Sequence, residues 1–430
     1  MFFGIVLILT IFDTRRLQSV VTPFTVTAWP FVGISLLTNF YLINIDFRPI
    51  TVRAQLFILL NLFIVWFFGY LCYFLFRQHE IQFSSTDNVY NYKELFSSIS
   101  RYHPLIIVVS WISIIIVLSK AKALLGAHGG FQYVGDSQFE KDMIVGPVAH
   151  IIHLGKVCFL LLAFSYKSSK HKIFNIVTLL GLIICIAAVQ VKYHLIWVLV
   201  MAFLFSVIQK PIRKQIRQTV LVVIGIIILM NLFWIILTLA WGTFSFESKG
   251  IREFLTKQTF NYIASSPIVL DEWLSHPDIK PEWTMIIVFK NIVNVILGSP
   301  YRFNNVELAN LSFSGIGKGI VSNTGTAYGV YYIIGGLVFT VFMTAFLSII
   351  SFSVYYLNRV RKTILNTYFN ILLLMLSLLT FFVQYFTLVS LYEMTTIFCI
   401  FIGMFFCLDF IKKPKDYSSE NINITIGDPG

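Results

Sequence analysis

The run VLVVIGIIILMNLFWIILTLA, residues 220–240, decides the fold class, because it carries no charge and is long enough to cross a bilayer as one helix. A long segment of mixed character follows, residues 241–327, and then a second apolar run, 331–357. Similar runs recur along the 430 residues, which are 57% hydrophobic, 17% aromatic and only 12% charged. This composition is typical of a polytopic α-helical membrane protein. The apolar runs do not alternate with polar residues, which excludes an outer-membrane barrel.

Hydropathy predicts an all-α fold that forms a single integral-membrane domain over residues 1–430, with about eleven transmembrane helices. The predicted spans are 1–12, 21–41, 54–76, 104–125, 144–165, 173–189, 195–208, 218–240, 328–357, 364–387 and 395–411. In 173–208 only Gln190, Lys192 and His194 interrupt the apolar sequence. A tight hairpin of two helices is the simplest interpretation of that segment, since it is too long for one span.

The net charge of +12 is distributed in short basic clusters that flank the predicted spans: 167–172, 210–217, 359–362 and 412–415. This is the positive-inside pattern and not a basic binding face, so no nucleic-acid partner is expected. With these clusters in the cytoplasm, the spans alternate consistently and the N-terminus lies outside as part of a retained span. Segment 241–327 is then one large extracytoplasmic loop, and 412–430 is a polar cytoplasmic tail.

Two groups of residues inside the predicted spans bear on metal binding. The five cysteines all lie in apolar runs and none has metal-ligand spacing, so neither a disulfide nor zinc is implied. His150 and His153 share one helical face, below the outer surface of the membrane. Ionisable residues at this depth suggest function, although two histidines are not a metal site. The alternative is a packed or hydrogen-bonded pair between helices.

The large loop contains two segments with helical patterns. Residues 249–273 place Glu253 and Lys257 at a helix-supporting spacing, and this leaves Arg252 to bind an anionic ligand or to remain solvated. Residues 281–297 form a second apolar helix with a polar side, too short to span the membrane. Further on, Gly315, Gly317 and Gly319 surround Lys318. This run is either a phosphate-binding backbone segment or a hinge.

Three parts of the sequence, the third made of two stretches, resemble the bacterial O-antigen and oligosaccharide repeat-unit polymerases, the Wzy family. They are FDTRRLQSVVTPFTVTAWPFVGISLL (12–37), VQVKYHLIWVLV (189–200), and the pair NYIASSPIVLDEWL (261–274) and VSNTGTAYGVYYIIGGL (321–337). The first is similar to the family's opening spans, and the second to its basic residue at the head of a helix. The third is similar to its loop helix followed by the entry into the next span. Neither Arg252 nor Arg302 precedes a glycine at the spacing found in outer loops of some members.

The resemblance implies an integral-membrane glycosyltransferase of the GT-C type in the bacterial inner membrane, independent of metal and cofactor. It would transfer a growing glycan from undecaprenyl diphosphate to a new lipid-linked repeat unit at the periplasmic face, with a chain-length regulator and a flippase as possible partners. Arg252 and Lys192 are the expected diphosphate ligands, and His194 the base or orienting group. The expected substrate contacts are Arg302, Tyr262, Asp271, His276, Asn323 and Lys257. Of these, Tyr262, Asp271 and Asn323 would either contact sugar or hold the loop.

Two alternatives share this architecture or this location. An O-antigen ligase would give the glycan to lipid A core, whereas a transporter or flippase would move a lipid-linked sugar across the membrane. Transporters usually show internal repeats and broken helices. The polymerase interpretation expects Arg252, Lys192 and His194 to meet in space.

Overall fold

The computed structural model describes residues 1–84, 95–128, 130, 137–143, 146–189, 192–240, 249–275, 290, 293–294, 297, 314–318, 320–322, 325–382, 386 and 388–412. The described chain is mostly helical, as predicted. Its helices are α1 Phe2–Leu17, α2 Pro23–Phe40, α3 Val52–Ser84, α4 Ser97–Ser100, α5 His103–Ala127, α6 Ser137–Met143, α7 Pro147–Ser165, α8 Lys172–Ala188, α9 Lys192–Ile208, α10 Ile212–Ala240, α11 Lys249–Ser275, α12 Ala327–Val360, α13 Ile364–Leu378 and α14 Val389–Lys412.

Each of the eleven segments predicted to span the membrane is occupied by one of the longer helices. Six of the described helices are long and apolar enough to cross a membrane: 52–77, 103–127, 147–168, 327–360, 364–381 and 389–411. The helices α8 and α9 are apolar but shorter, and they form the two arms predicted for 173–208. The chain is therefore a polytopic helical membrane protein, while the full count of eleven spans stays a prediction.

Apolar packing among the described residues forms two large cores within the membrane helices and a third, smaller core where α2, α11, α12 and the loop strands meet. In one large core Trp197, Tyr368 and Phe398 are buried where α9, α13 and α14 meet α5, α7 and α8. In the other large core, Phe31 and Phe352 are buried among α1, α2, α3 and α12. Helix α13 packs against both α2 and α12 and so joins the two large cores. Many large apolar side chains on the outer surface remain exposed, which is the expected surface of a bundle solvated by lipid.

Threonine side chains cap the N-termini of three of these helices. Thr22 accepts a hydrogen bond from the Thr25 amide and precedes Pro23 in the first turn of α2. Thr326 and Thr363 cap α12 and α13 in the same way. A side-chain oxygen at this position satisfies one of the amides that a helix start leaves without a partner.

The connections predicted to lie on one side of the membrane contact each other in the fold. At one end, Arg359 Nη1 donates to the Leu17 carbonyl at 2.6 Å, and the Val20 amide donates to Gln215 Oε1 at 3.1 Å. At the other end, the connection between α2 and α3 meets α11 through Arg53 and Asp271. This grouping agrees with the predicted alternation of the spans.

A small antiparallel sheet, β1 Ser314–Gly317 and β2 Ile320–Ser322, lies in the glycine-rich run of the large loop, where no strand was predicted. The connection between α2 and α3 covers it: the Arg48 amide donates to the Ile316 carbonyl, and the Lys318 amide donates to the Asp46 carbonyl. A Cβ at Gly317 would lie 2.2 Å from the Asp46 oxygen, so this approach requires glycine. The Lys318 amide is therefore already bonded and is not available to a phosphate, while the choice between a phosphate-binding segment and a hinge stays a prediction.

Helix α12 is broken inside the membrane-spanning sequence. Gly336 has φ 68° and ψ −165°, a backbone conformation that is accessible almost only to glycine. The break separates a short first part, in which Tyr328, Tyr331 and Ile334 are buried, from a long lipid-exposed second part. The apolar sequence of 328–357 predicted one continuous span, and the break is a feature that only the structure reveals.

The helix predicted over 249–273 is confirmed as α11. Most of the second predicted loop helix, 281–297, and the polar tail after residue 412 lie outside the described residues. Ser266 Oγ in α11 donates to the Phe382 carbonyl at 2.7 Å, immediately after α13. The loop helix is thus tied to the segment that leads into α14.

Candidate functional site

Helix α7 presents three ionisable side chains, His150, His153 and Lys156, at successive spacings of three residues. Such a spacing keeps all three near one face of the helix. Gly146, with φ 74°, and Pro147 in the first turn set the entry into this helix. The face is covered by α9 and α14, whose first two turns contribute His194 and Glu393. We call His150, His153, Lys156, His194 and Glu393 the polar cluster.

Glu393 bridges the two outermost histidines of the cluster. Its Oε1 lies 2.6 Å from His150 Nδ1, and its Oε2 lies 3.6 Å from His153 Nε2. The side chain of His150 is 73% exposed, that of Glu393 23% and that of His153 only 8%. One carboxylate therefore links an accessible imidazole to a buried one, with a separate oxygen for each.

Lys156 and His194 form the innermost pair of the cluster. Lys156 has no exposed surface, and its Nζ lies 2.9 Å from His194 Nδ1. The same Nζ lies 5.2 Å from the centre of the buried Trp197 ring, within the range of a cation–π interaction. An ammonium group only donates hydrogen bonds, so a charged Lys156 requires Nδ1 of His194 to accept and its Nε2 to carry the proton.

The rings of His153 and His194 lie 5.3 Å apart, edge to face, and connect the two pairs. Among the described residues, Nδ1 of His153 is buried and has no hydrogen-bond partner. If Nε2 of His153 donates towards Glu393, this Nδ1 retains a free lone pair. The arrangement of carboxylate, imidazole and free nitrogen is the one by which a histidine is oriented to accept a proton.

The electrostatics of this region favour an anion. Helices α7, α9 and α14 all begin beside the cluster, and the first turn of a helix carries partial positive charge. The cluster adds one lysine amine and three imidazoles, which are positive when protonated, against one carboxylate. In surroundings this apolar, charges are felt strongly because little water screens them. Among the described residues, no three His, Cys, Asp or Glu side chains are arranged to hold a metal ion.

Of the residues predicted to bind substrate or catalyse, His194 lies in the polar cluster. The backbones of Lys192, Arg252 and Tyr262 are helical, in α9 and α11, but their side chains lie outside the described parts of the structure. The meeting of Arg252, Lys192 and His194 therefore stays a prediction. His276, Arg302 and Asn323 also lie outside the described residues.

Asp271 and Lys257 hold the large loop in place. The Asp271 carboxylate accepts from Thr51 and lies 3.3 Å from Arg53 Nη2, while Lys257 Nζ lies 3.6 Å from Asp46 Oδ2. Both contacts attach α11 to the connection between α2 and α3. For Asp271 the prediction left open contact with sugar or a role in holding the loop, and these contacts favour the second.

Sequence reasoning missed Lys156 and Glu393. Lys156 interrupts an apolar run three residues after His153, and that spacing was a usable signal because a lysine inside a span is costly unless it has a partner. Glu393 was assigned to the connection 388–394, whereas α14 begins at Val389 and carries this residue into the bundle. Its proximity to α7 depends on packing across the chain and has no local signal.

A family model described as a family of unknown function (DUF6337) matches residues 54–406, most of the chain. The chain belongs to this family. All five residues of the polar cluster lie within the matched region, and α1 and α2 lie before it. No curated protein and no solved structure is significantly similar to the chain.

Proposed function

We propose that the protein is an integral-membrane glycosyltransferase that polymerises lipid-diphosphate-linked oligosaccharide repeat units at the extracytoplasmic face. The observation that carries the proposal is the polar cluster, in which an imidazole beside a carboxylate lies next to a buried lysine amine. Further support comes from the large loop, whose helix α11 is bonded to the segment before α14. The resemblance of 261–274 and 321–337 to the repeat-unit polymerases points to the same chemistry.

The proposed reaction joins two lipid-linked glycans without an external energy source. A hydroxyl oxygen of the acceptor sugar forms a bond to the anomeric carbon of the donor glycan, and the bond from that carbon to the lipid diphosphate breaks. The bonding electrons leave with the diphosphate, and the hydroxyl proton passes to a base. Cations stabilise the leaving diphosphate, and a positioned imidazole takes the proton.

His153 is the base in this proposal, because its buried Nδ1 has no partner among the described residues and Glu393 lies at its other nitrogen. His194 is the orienting group, since its Nδ1 is engaged by Lys156. Arg252, Lys192 and Arg302 remain the proposed diphosphate ligands. When it is protonated, Lys156 adds a positive charge that attracts the anionic donor towards the cluster.

A second candidate, proton-coupled movement of a lipid-linked sugar, has an observation of its own. Exposure falls steadily from His150 through Glu393 and His153 to Lys156, so a chain of ionisable groups leads from the surface into the bundle. Such chains are used as proton relays in transporters. The break of α12 at Gly336 is also a feature of transporter helices.

One reconstitution separates the two candidates. The purified protein is placed in liposomes with a synthetic undecaprenyl-diphosphate repeat unit and a chelator, and the products and the leaflet of the substrate are both measured. A ladder of glycans that differ by one repeat is expected. Movement of substrate between leaflets without a ladder would replace the polymerase by the transporter. With lipid A core added as an acceptor, a single transfer to it without a ladder would identify a ligase.

A further inference from the structure

A cavity of about 390 Å³ lies between α1 and α3, at the opposite end of the bundle from the β-hairpin. Its lining consists of aromatic side chains and two arginines: Phe12, Arg15, Arg16, Trp66, Tyr70 and Tyr73. No residue of the polar cluster contributes to it. Its end of the molecule is the one where the Arg359 side chain meets the Leu17 carbonyl, and is therefore the end predicted to face the cytoplasm.

Arg16 is the central cation of this cavity. Its side chain is only 10% exposed, and its Nη2 pairs with Asp13, which is fully buried. Its guanidinium carbon lies 5.3 Å from the ring centres of both Tyr70 and Tyr73. Among the described residues, the Nε and Nη1 groups of Arg16 are buried and lack a hydrogen-bond partner. A buried donor without a partner is costly, so these N–H groups provide binding capacity for an acceptor.

The rim of the cavity matches an amphiphile and not a small soluble anion. Phe12 is 62% exposed and Tyr70 39%, on a face that also exposes Ile8 and Phe67 to the lipid. Arg15 is exposed beside them, at the end of α1. A molecule with an acyl chain against Phe12 and a phosphate at the arginines would match both the apolar rim and the arginine side chains. Asp13 neutralises one guanidinium, so the net charge of +1 suits a phosphodiester.

We propose that this cavity binds the phosphate group of an anionic phospholipid in the adjacent leaflet, through Arg15 and the unpartnered N–H groups of Arg16. The aromatic side chains of α3 hold Arg16 in place, and the acyl chains lie along the exposed face of α1. The site lies apart from the polar cluster, and α1 lies outside the region matched by the family model. It is therefore independent of the proposed polymerase reaction.

Native mass spectrometry of the full-length, delipidated protein tests the proposal with three probes: phosphatidylglycerol, phosphatidylcholine and inorganic phosphate. The variants are Arg15→Gln and Tyr70→Leu, which leave the buried Asp13–Arg16 pair intact, and Arg16→Gln combined with Asp13→Asn. Arg213→Gln is the matched control, because Arg213 is an exposed arginine at the start of α10, away from the cavity lining. Thermal unfolding identifies any variant that fails to fold.

The wild type is expected to bind phosphatidylglycerol more tightly than phosphatidylcholine, with inorganic phosphate a poor competitor. Arg15→Gln and the double variant should each weaken phosphatidylglycerol binding by about tenfold, the effect of losing one charge-assisted contact. The control should bind as the wild type does. Equal losses in Arg213→Gln and Arg15→Gln, or no loss in the cavity variants, would overturn the proposal. Full competition by inorganic phosphate would replace the lipid by a soluble phosphate.

Discussion

At the scale of single residues, the buried pair of Lys156 and His194 is the least expected feature of the bundle. A lysine without exposed surface is stable only if nearby groups compensate for the lost hydration, and here one imidazole nitrogen and one indole ring do so. Leucine and methionine would fill the same space with less loss of hydration. Their absence from these positions supports a role of the pair in binding or catalysis.

The need of Lys156 for a compensating partner predicts how the pair responds to replacement. His194→Leu alone should lower the unfolding temperature, because it removes the acceptor and leaves the ammonium uncompensated. The double variant Lys156→Met with His194→Leu should unfold at the same temperature as the wild type or above it, because neither polar group is left alone. Both should lose glycan transfer. Thermal unfolding in detergent measures the first effect, and a double variant much less stable than the wild type would assign the pair to structure.

At the scale of elements, the break in α12 depends on one glycine. Gly336 occupies a backbone conformation that other residues rarely adopt, and Thr340 Oγ1 donates to its carbonyl at 2.9 Å. The buried first part of the helix packs beside Trp273 of α11, whose ring meets Gly329. The break therefore sets the position of the loop helix relative to the membrane helices.

Gly336→Ala should destabilise the protein by about 1 kcal/mol or more, because alanine is strained at this φ and ψ. The matched control is Gly403→Ala in α14, where an added Cβ would meet no atom within 4 Å. Thermal unfolding of the two variants side by side measures the difference. Equal unfolding temperatures would show that the chain at Gly336 adopts an ordinary helical conformation.

Elements of this fold differ in how well the sequence alone predicts them. The apolar runs and their basic flanks predicted the positions of the long helices, and helix 249–273 followed from local spacing. The hairpin was missed because Gly317 is required by a distant carbonyl, that of Asp46, and local pattern does not reveal such a contact. Glu393 was missed for a related reason, because its partners lie far away in the sequence. Lys156 had a local signal, its spacing of three residues after His153, which was not used.

At the scale of the whole molecule, the described connections that contact each other fall into two groups. One contains the basic clusters 167–172, 210–217 and 359–362 and the ends of α1 and α12, and the other contains the α2–α3 connection, the hairpin and α11. Charge asymmetry predicts that the first group faces the cytoplasm. The polar cluster belongs to the other end, where a lipid-linked glycan on the outer leaflet would reach it.

Labelling of single cysteines tests this orientation. Asn44→Cys, in the α2–α3 connection, should react with a membrane-impermeant maleimide on intact cells. Lys170→Cys, between α7 and α8, should react only after permeabilisation. Both positions are exposed, and Cys407 is replaced by Ser in the background because it is the native cysteine with an exposed side chain among the described residues. The reverse pattern of labelling would invert the topology and place the polar cluster on the cytoplasmic side.

We proposed that the polar cluster is the reaction centre. The glycan ladder made by variants of the cluster tests this role most directly. His153→Gln and Glu393→Gln are compared with His171→Gln, an exposed histidine at the opposite end of α7 from the cluster. We predict that the two cluster variants fold but extend glycans about 100-fold more slowly, the contribution expected of a positioned base. The control should match the wild type. A wild-type ladder from well-folded His153→Gln and Glu393→Gln would contradict the account.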